Sequence, residues 1–390
     1  MRVLIDYRPA LRGRSGAGEY THELASALLA RACLAPDGHP LDLTLFSSSR
    51  KDRLVLAPEL RGASTIDLNV PVAVLNLCWH RFGWPPVERL THRDYDVTHS
   101  SHPLLMPARR AARVITIHDL DFLNHPERTH AEIRRDYPAL VHRHARAADG
   151  ILVPSAFTLG EVVRLLNVEP DRVTVCSPGA PDWTPKARPG LRKGYILFLG
   201  TLEPRKNVGT LLDAYERLLV AVDQAGGSAH PRRTVPELVL AGRQTPAAAE
   251  WLARAARPPL AGHVRAVGYV DPAARHALYD GASTLVMPSL DEGFGLPVLE
   301  AMTAGVPVVA ANRGALPEVL AGAGVLVDPH SAVDIAFGLR RIIDDEAFAE
   351  ACARRGLARA AAYRWTDAAA RACDAYRKAM VRRAAAGGTR

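Results

Sequence analysis

The sequence predicts an α/β chain built as two Rossmann-like, doubly wound domains. Three observations predict it. The chain has 390 residues, too many for one ordinary core and enough for two domains of roughly 150–200 residues each. Short apolar runs of strand length alternate with helical segments in one half, and the scheme then repeats in the other. Between the halves lies Ser177 to Gly190, whose four prolines fit neither a helix nor a central strand. Open α/β sheets bind ligands beyond the carboxyl ends of their strands. The expectation is therefore two domains facing across a cleft, with the proline-rich break as hinge.

In the first half the predicted strands are Val3–Ile5, Leu41–Phe46, Asp96–His99, Val114–Ile117, Ile151–Val153 and Val173–Cys176. Helices are predicted over Gly18–Arg31, within Glu127–Ala148 and over Ala156–Leu166. After the break a fresh strand, Tyr195–Leu199, ends on Gly200. Strands at Leu238–Leu240, Val264–Val267, Thr284–Met287, Val306–Ala310 and Gly324–Val327 follow. Helices are expected near Val208–Val222, Ala247–Ala256, Pro272–Asp280, Pro297–Thr303 and Val333–Ile343, with a last one at about Asp367–Arg383. Gly226–Pro236 has the composition of a surface insertion, and Ala384–Arg390 that of a frayed tail.

Composition narrows the function classes. With 48% hydrophobic residues, two cores are easily filled. The net charge of +8 implies an anionic partner. The basic residues do not gather in one tail and no aromatic-interleaved basic motif occurs, so a small anionic substrate or an anionic membrane surface fits better than nucleic acid. Five widely spaced cysteines, with no C-x-x-C pair, are expected to be free thiols in a reducing compartment. The chain opens on a strand-like run with no signal-peptide pattern, and no apolar run approaches the ~20 residues of a membrane span. The expected place is the cytoplasm.

The strongest chemical signal is Asp291-Glu-Gly-Phe-Gly-Leu-Pro-Val-Leu-Glu-Ala-Met302. Pro297 suits a first helical turn, so the amides of Gly293, Phe294, Gly295 and Leu296 would lie at a helix N-terminus, which favours an anion. Glu292 falls in the loop and Glu300 in the first turn. Two carboxylates beside a phosphate repel it unless they bind hydroxyls, which a sugar and a ribose offer. The alternative is a buried helix with an incidental Glu at each end.

This segment resembles the E-x7-E signature of the retaining GT-B glycosyltransferases of family 4. Ala304-Gly-Val-Pro-Val-Val-Ala-Ala-Asn-Arg-Gly-Ala-Leu-Pro-Glu318 and Gly200-Thr-Leu-Glu-Pro-Arg-Lys-Asn207 resemble the same family. The resemblance covers most of the chain and is densest from Tyr195 to Pro329. It implies that Glu300 binds the donor ribose, that Glu292 touches the transferred sugar, and that amides near Phe294, Gly295 and Leu296 hold sugar and diphosphate.

Arg205 and Lys206 follow a strand end. Fixed cations there stabilise charge that develops on a departing diphosphate. The alternative is a solvated basic turn. Thr201 stands where many relatives carry Arg. In the loop Gly13-Arg-Ser-Gly-Ala-Gly-Glu19, Gly16 and Gly18 permit a tight turn that presents amides to a phosphate or sugar, though the full G-x-G-x-x-G is lacking. The resemblance makes His118 a contact to the donor sugar and places Gly268, Tyr269 and Val270 along the nucleobase pocket. Asp119-Leu-Asp121 fits a metal-binding D-x-D, but Arg205 and Lys206 already offer the charge. Metal independence is expected, with no metal ligands assigned.

Two surface features remain. Glu127–Ala148 carries Arg128, Arg134, Arg135, Arg143, Arg146 and three histidines, a basic face for anionic lipid or a solvated helix. Cys78-Trp-His-Arg-Phe-Gly-Trp-Pro-Pro86 reads as an acceptor-facing or membrane-facing loop, or as buried aromatics. The resulting expectation is an acceptor-side domain at residues 1–182, a donor domain at 183–364, and a helix at 365–390 that packs back on the first. The expected reaction moves a hexose, with mannose from GDP-mannose favoured, to a hydroxyl of a glycan or lipid-linked acceptor by front-face displacement. Rival readings are a sugar-nucleotide epimerase or hydrolase of the same fold, and a non-catalytic sugar-nucleotide-binding subunit.

Overall fold

The computed structural model describes residues 1–11, 14, 16–30, 41–128, 131–186, 194–225 and 235–387, with backbone alone at 131–136, 222–225 and 387. Most of the expected insertion Gly226–Pro236, part of the proline-rich break, Gly13, Cys33, His130 and the last three residues lie outside the described residues. So do the side chains of Arg134 and Arg135. The chain divides into two units, Met1–Gly179 with Arg364–Arg390, and Ala180–Tyr363.

The first unit contains β1 (Arg2–Asp6), α1 (Ala17–Ala30), β2 (Asp42–Ser48), β3 (Ser64–Leu68), α2 (Val72–Leu77), α3 (Val87–Thr91), β4 (Val97–Ser100), β5 (Ala112–Thr116), α4 (Asp121–Asn124), α5 (Ala131–Ala147), β6 (Gly150–Val153), α6 (Ala156–Leu166) and β7 (Val173–Val175). Its seven strands are parallel in the order β3-β2-β1-β4-β5-β6-β7. The central strands are almost wholly buried, as a parallel sheet requires, and β4 is so with the polar Thr98, His99 and Ser100. Ser155 caps α6 by accepting from Thr158 N at 3.1 Å.

The second unit contains β8 (Tyr195–Leu199), α7 (Val208–Ala225), β9 (Leu238–Ala241), α8 (Ala248–Ala255), β10 (Val264–Gly268), α9 (Pro272–Gly281), β11 (Ala282–Met287), α10 (Leu296–Thr303), β12 (Val308–Ala311), α11 (Leu316–Leu320), β13 (Val325–Val327), α12 (Ala332–Asp344) and α13 (Glu346–Ala360). Its six parallel strands run β10-β9-β8-β11-β12-β13. This is the strand order of dinucleotide-binding sheets. Asp271, Ser331 and Asp345 cap α9, α12 and α13. The final helix, α14 (Trp365–Gly387), packs in the first unit, where Tyr376 and Cys373 join the core that Tyr20, Leu24 and Leu28 of α1 build. Each of these fully buried large side chains stabilises the unit by about 1.5–3 kcal/mol.

Several elements differ from the sequence expectation. Strand β3 was not expected: its residues Ser-Thr-Ile-Asp-Leu are none of them fully buried, because it is an edge strand. Helices α2, α3, α4 and α11 are too short to display a period. Helix α13 is long, but its Ala-rich sequence, interrupted by Gly356, gives weak amphipathic contrast. Helix α14 continues to Gly387 rather than fraying after Arg383. The cysteine expectation holds for Cys78, Cys176 and Cys352, whereas Cys373 is disulfide-bonded.

Candidate functional site

In the second unit the chain leaves β8 in one direction toward β9 and enters β11 from the other side, so the carboxyl ends of β8 and β11 form the topological switch point. Ligands bind at such points in open α/β sheets. The segment after β8 carries Arg205 and Lys206, and the segment after β11 carries Glu292.

Local geometry fixes both segments. Pro204–Lys206 forms a 3-10 turn that ends on Asn207 in the left-handed region, at φ +59°. Asn207 Nδ2 donates to Pro288 O at 3.1 Å and to Pro329 O at 2.7 Å, pinning the turn to the ends of β11 and β13. Leu290 N donates to Arg205 O at 2.9 Å. On the other flank, Ala315 N donates to Glu292 O at 2.8 Å. Gly314, at φ +59°, lies so close that an added Cβ would sit 2.5 Å from Glu292 O.

Lys206 Nζ therefore meets Glu292 Oε1 in a short, buried ion pair, and Arg205 Nη1 stands 3.6 Å from Glu292 Oε2. Arg205 also donates to Asp291 O at 3.2 Å and to Glu203 Oε1 at 3.2 Å. Burial pushes the Glu292 carboxyl upward, but the Lys206 and Arg205 charges outweigh it and hold the group below its ordinary value. Glu292 is thus a buried carboxylate kept ionised by two cations.

The loop 293–295 leads into α10, with Gly295 at φ +94° and Pro297 in the first turn. Glu300 is the fifth residue of α10, one residue past its expected place in the first turn, because the helix starts at Leu296 and not at Pro297. Arg275 Nη1 donates to its Oε1 at 2.6 Å, and Tyr279 OH donates to its Oε2 at 2.8 Å. Both partners come from α9. Phe294, Leu296 and Val270 pack in one apolar cluster. Gly242 N donates to Gly268 O at 2.7 Å, and Arg243 stacks over the half-exposed Tyr269. The second unit thus gathers Arg205, Lys206, Glu292, Glu300, the 293–296 amides and Gly268–Val270 around the carboxyl end of one sheet.

Gly16, Gly18 and His118 belong to the first unit. Gly16 has φ +53°, and a Cβ on Gly18 would lie 2.6 Å from Pro9 O. His118 follows β5, donates from Nε2 to Ser101 O at 3.2 Å, and meets the edge of Tyr20. Burial lowers its pKa, so the ring is neutral near pH 7. Asp121 is buried and paired with Arg128 at 3.4 Å. Among the described residues no group of three His, Cys, Asp or Glu side chains gathers as a metal site.

Sequence reasoning missed two groups. One is the Arg275–Tyr279 pair that holds Glu300. The other stands at the β1/β4 switch point of the first sheet. There the fully buried Asp6 accepts from Arg8 Nε at 2.8 Å and Nη2 at 2.6 Å, and lies 3.0 Å from His102 Nε2. Arg8 also lies over the Trp79 ring at 5.2 Å. An Asp immediately after the predicted first strand, Val3–Ile5, was the available signal.

Comparison with known proteins gives the family and the fold. The model for glycosyl transferases group 1 matches residues 181–359, and that for glycosyltransferase family 4 matches residues 14–182. The chain is 34% identical over 297 residues to O-antigen chain mannosyltransferase B of Escherichia coli, which covers 73% of this chain and 75% of that protein. It is 29% identical over 247 residues to the Escherichia coli serotype-specific mannosyltransferase WbdA, covering 60% of this chain but only 29% of that longer protein. Among solved structures, a sucrose-phosphate synthase from Thermosynechococcus elongatus superposes with a TM-score of 0.72 at 21% identity, covering 96% of this chain and 98% of that one. That likeness establishes the GT-B fold.

Proposed function

The chain belongs to the glycosyl transferases of group 1, and we propose that it moves a hexose from a nucleotide-diphosphate sugar to a hydroxyl of a glycan or lipid-linked acceptor, with retention at the anomeric carbon. The carrying observation is the buried Lys206–Glu292–Arg205 cluster at the β8/β11 switch point, eight residues before the α9-held Glu300. In this reading Lys206 and Arg205 take up the diphosphate charge as the glycosidic bond breaks, which stabilises the transition state more than the ground state. Glu300 accepts from the ribose hydroxyls. Glu292 orients the two cations and contacts the transferred sugar, while the 293–296 amides hold sugar and diphosphate. His118, Gly16 and Gly18 act from residues 1–182, the acceptor side, and Gly268, Tyr269 and Val270 line the base in residues 183–364. The helix from 365 onward completes the acceptor side. The acceptor hydroxyl attacks the face that the diphosphate leaves, and a phosphate oxygen takes its proton, so no protein nucleophile is named.

The mannosyltransferase names of two relatives favour mannose, and GDP-mannose as donor. The charge of +8 favours a cytoplasmic protein that meets an anionic membrane at its periphery. Among the described residues, no helix is long and apolar enough to cross a membrane. The test is melting of the full chain against GDP-mannose, UDP-glucose, UDP-galactose and their free diphosphates, with and without EDTA. A donor at ~100 times its dissociation constant stabilises by about 2.7 kcal/mol. A GDP-mannose shift that survives EDTA, followed by an α-linked product by NMR, supports the reading. A shift only with UDP-sugars overturns the mannose assignment, and a β-linked product overturns retention.

A further inference from the structure

The first unit carries a cavity of about 590 Å3 that none of the roles above uses. Trp79, His80, Phe82 and Trp84 come from the π-helical turn Cys78–Phe82 and the residues after it. Arg109 and Arg113 lie at the amino end of β5, and Arg143 and His144 at the carboxyl end of α5. At about 3.3 Å per residue along the strand, Arg113 stands about 16 Å from His118 at the opposite end of β5. The cavity thus reaches the amino end of β5, away from His118.

Its polar groups are nearly all donors. Among the described residues no Asp or Glu lines it. His144 is buried, and its Nδ1 accepts from Leu105 N at 2.8 Å. Burial and the neighbouring His80 and Arg143 pull its pKa down to about 3, so the ring is neutral and its proton sits on Nε2. That Nε2–H faces Arg143 Nη2 at 3.4 Å, and a guanidinium only donates. Arg143 Nη2 already donates to His80 O, so among the described residues the His144 Nε2–H meets only a second donor and no acceptor. His80 Nε2 is buried beside them with no hydrogen-bond partner among the described residues. Such unmatched polar groups are costly unless something supplies the missing acceptor. The lip is of opposite character: Phe82 is 71% and Trp84 53% exposed.

We propose that this cavity binds a phosphate-type anion carried on an apolar chain, with Arg143 and His144 on the anion and Phe82 and Trp84 on the chain. The anion supplies the acceptor that the His144 Nε2–H lacks, takes further hydrogen bonds from Arg143, whose Nη2 otherwise donates to His80 O, and is balanced by the arginines at the mouth. The chain covers aromatic surface otherwise left to water. The inference stands apart from the transferase reading, since no donor turnover enters its test.

The test is isothermal titration of the full chain with three probes: octyl phosphate below its micelle concentration, inorganic phosphate, and octyl glucoside. Octyl phosphate is expected to bind most tightly. Arg143→Gln, a change of a solvent-exposed residue, should weaken it about tenfold or more, the size of a hydrogen bond to a charged group. Phe82→Ser should weaken octyl phosphate severalfold and leave inorganic phosphate unchanged. Equal binding of inorganic and octyl phosphate, both lost in Arg143→Gln, would keep the anion site and overturn the apolar half, making a free phosphate the ligand. Octyl glucoside binding as tightly as octyl phosphate, or an unchanged Arg143→Gln, overturns the proposal.

Discussion

Replacing Lys206 by Met tests the assigned charge cluster most directly, because it perturbs stability and turnover by separable amounts. Lys206 and Glu292 side chains are 11% and 8% exposed, so solvent screening is small. Removing one partner of a buried ion pair costs about 3–5 kcal/mol. Arg205 remains 3.6 Å from the other carboxylate oxygen, which reduces the expected loss to about 2–3 kcal/mol. Lys206→Met combined with Glu292→Gln removes both charges, so the double variant should recover at least half of that loss, a coupling that a double-mutant cycle reads. Turnover behaves differently. A cation that stabilises a departing diphosphate contributes about 10²–10³ in kcat, and Glu292→Gln cannot restore it. The assay is urea unfolding of the four proteins beside donor-saturated initial rates. If the double variant regains activity with its stability, Lys206 acts only through folding and the electrostatic role assigned to it is wrong.

The remaining predictions concern neighbouring features. Arg275→Met should raise the donor KM about tenfold while kcat stays within about threefold, because Arg275 orients Glu300 rather than the reacting atoms; Arg275→Lys should recover part of the loss, and an unchanged KM would refute the orienting role. Gly314→Ala should destabilise the second unit by about 1–3 kcal/mol, since its φ of +59° and the Glu292 backbone leave no room for a Cβ; an unaltered melting temperature would count against that packing. The buried His99, held by Thr116 and Tyr376, has its pKa pulled by burial to about 3. A depressed imidazole pKa means that the unfolded chain binds more protons, so this stability is complete above about pH 6.5 and declines as pH falls, by up to about 1.4 kcal/mol per pH unit. His99→Gln should flatten the decline between pH 6.5 and 4 in urea titrations, and an equally steep slope would exclude His99 as its source.

Much of the architecture was legible because its signals are local. Val3–Ile5, Tyr195–Leu199 and Leu238–Leu240 are apolar runs with no polar interruption, which only a doubly covered parallel strand buries so fully. Pro297 and the glycines before it mark the start of α10, and Glu300 follows by count. Strand β3 escaped because an edge strand is covered on one side and needs no such run, and α13 because alanine contributes little contrast between its faces. The chain by itself therefore determined the two α/β units and the segments that carry Arg205, Lys206, Glu292 and Glu300.

Tertiary structure alone decided which groups meet. Lys206 finds Glu292 across 86 positions, and His102 finds Asp6 across 96, because β8 with β11 and β1 with β4 are neighbours in sheets whose order is not the order of the chain. Arg275 reads as an ordinary helical arginine until α9 sets it against Glu300. His144 reads as part of a basic helix until Leu105 N fixes its tautomer and leaves its proton without an acceptor. A residue's own periodicity carries the face it buries, since burial depends on nearest neighbours along the chain. Its charge partner depends on strand order and crossover, which no local pattern encodes.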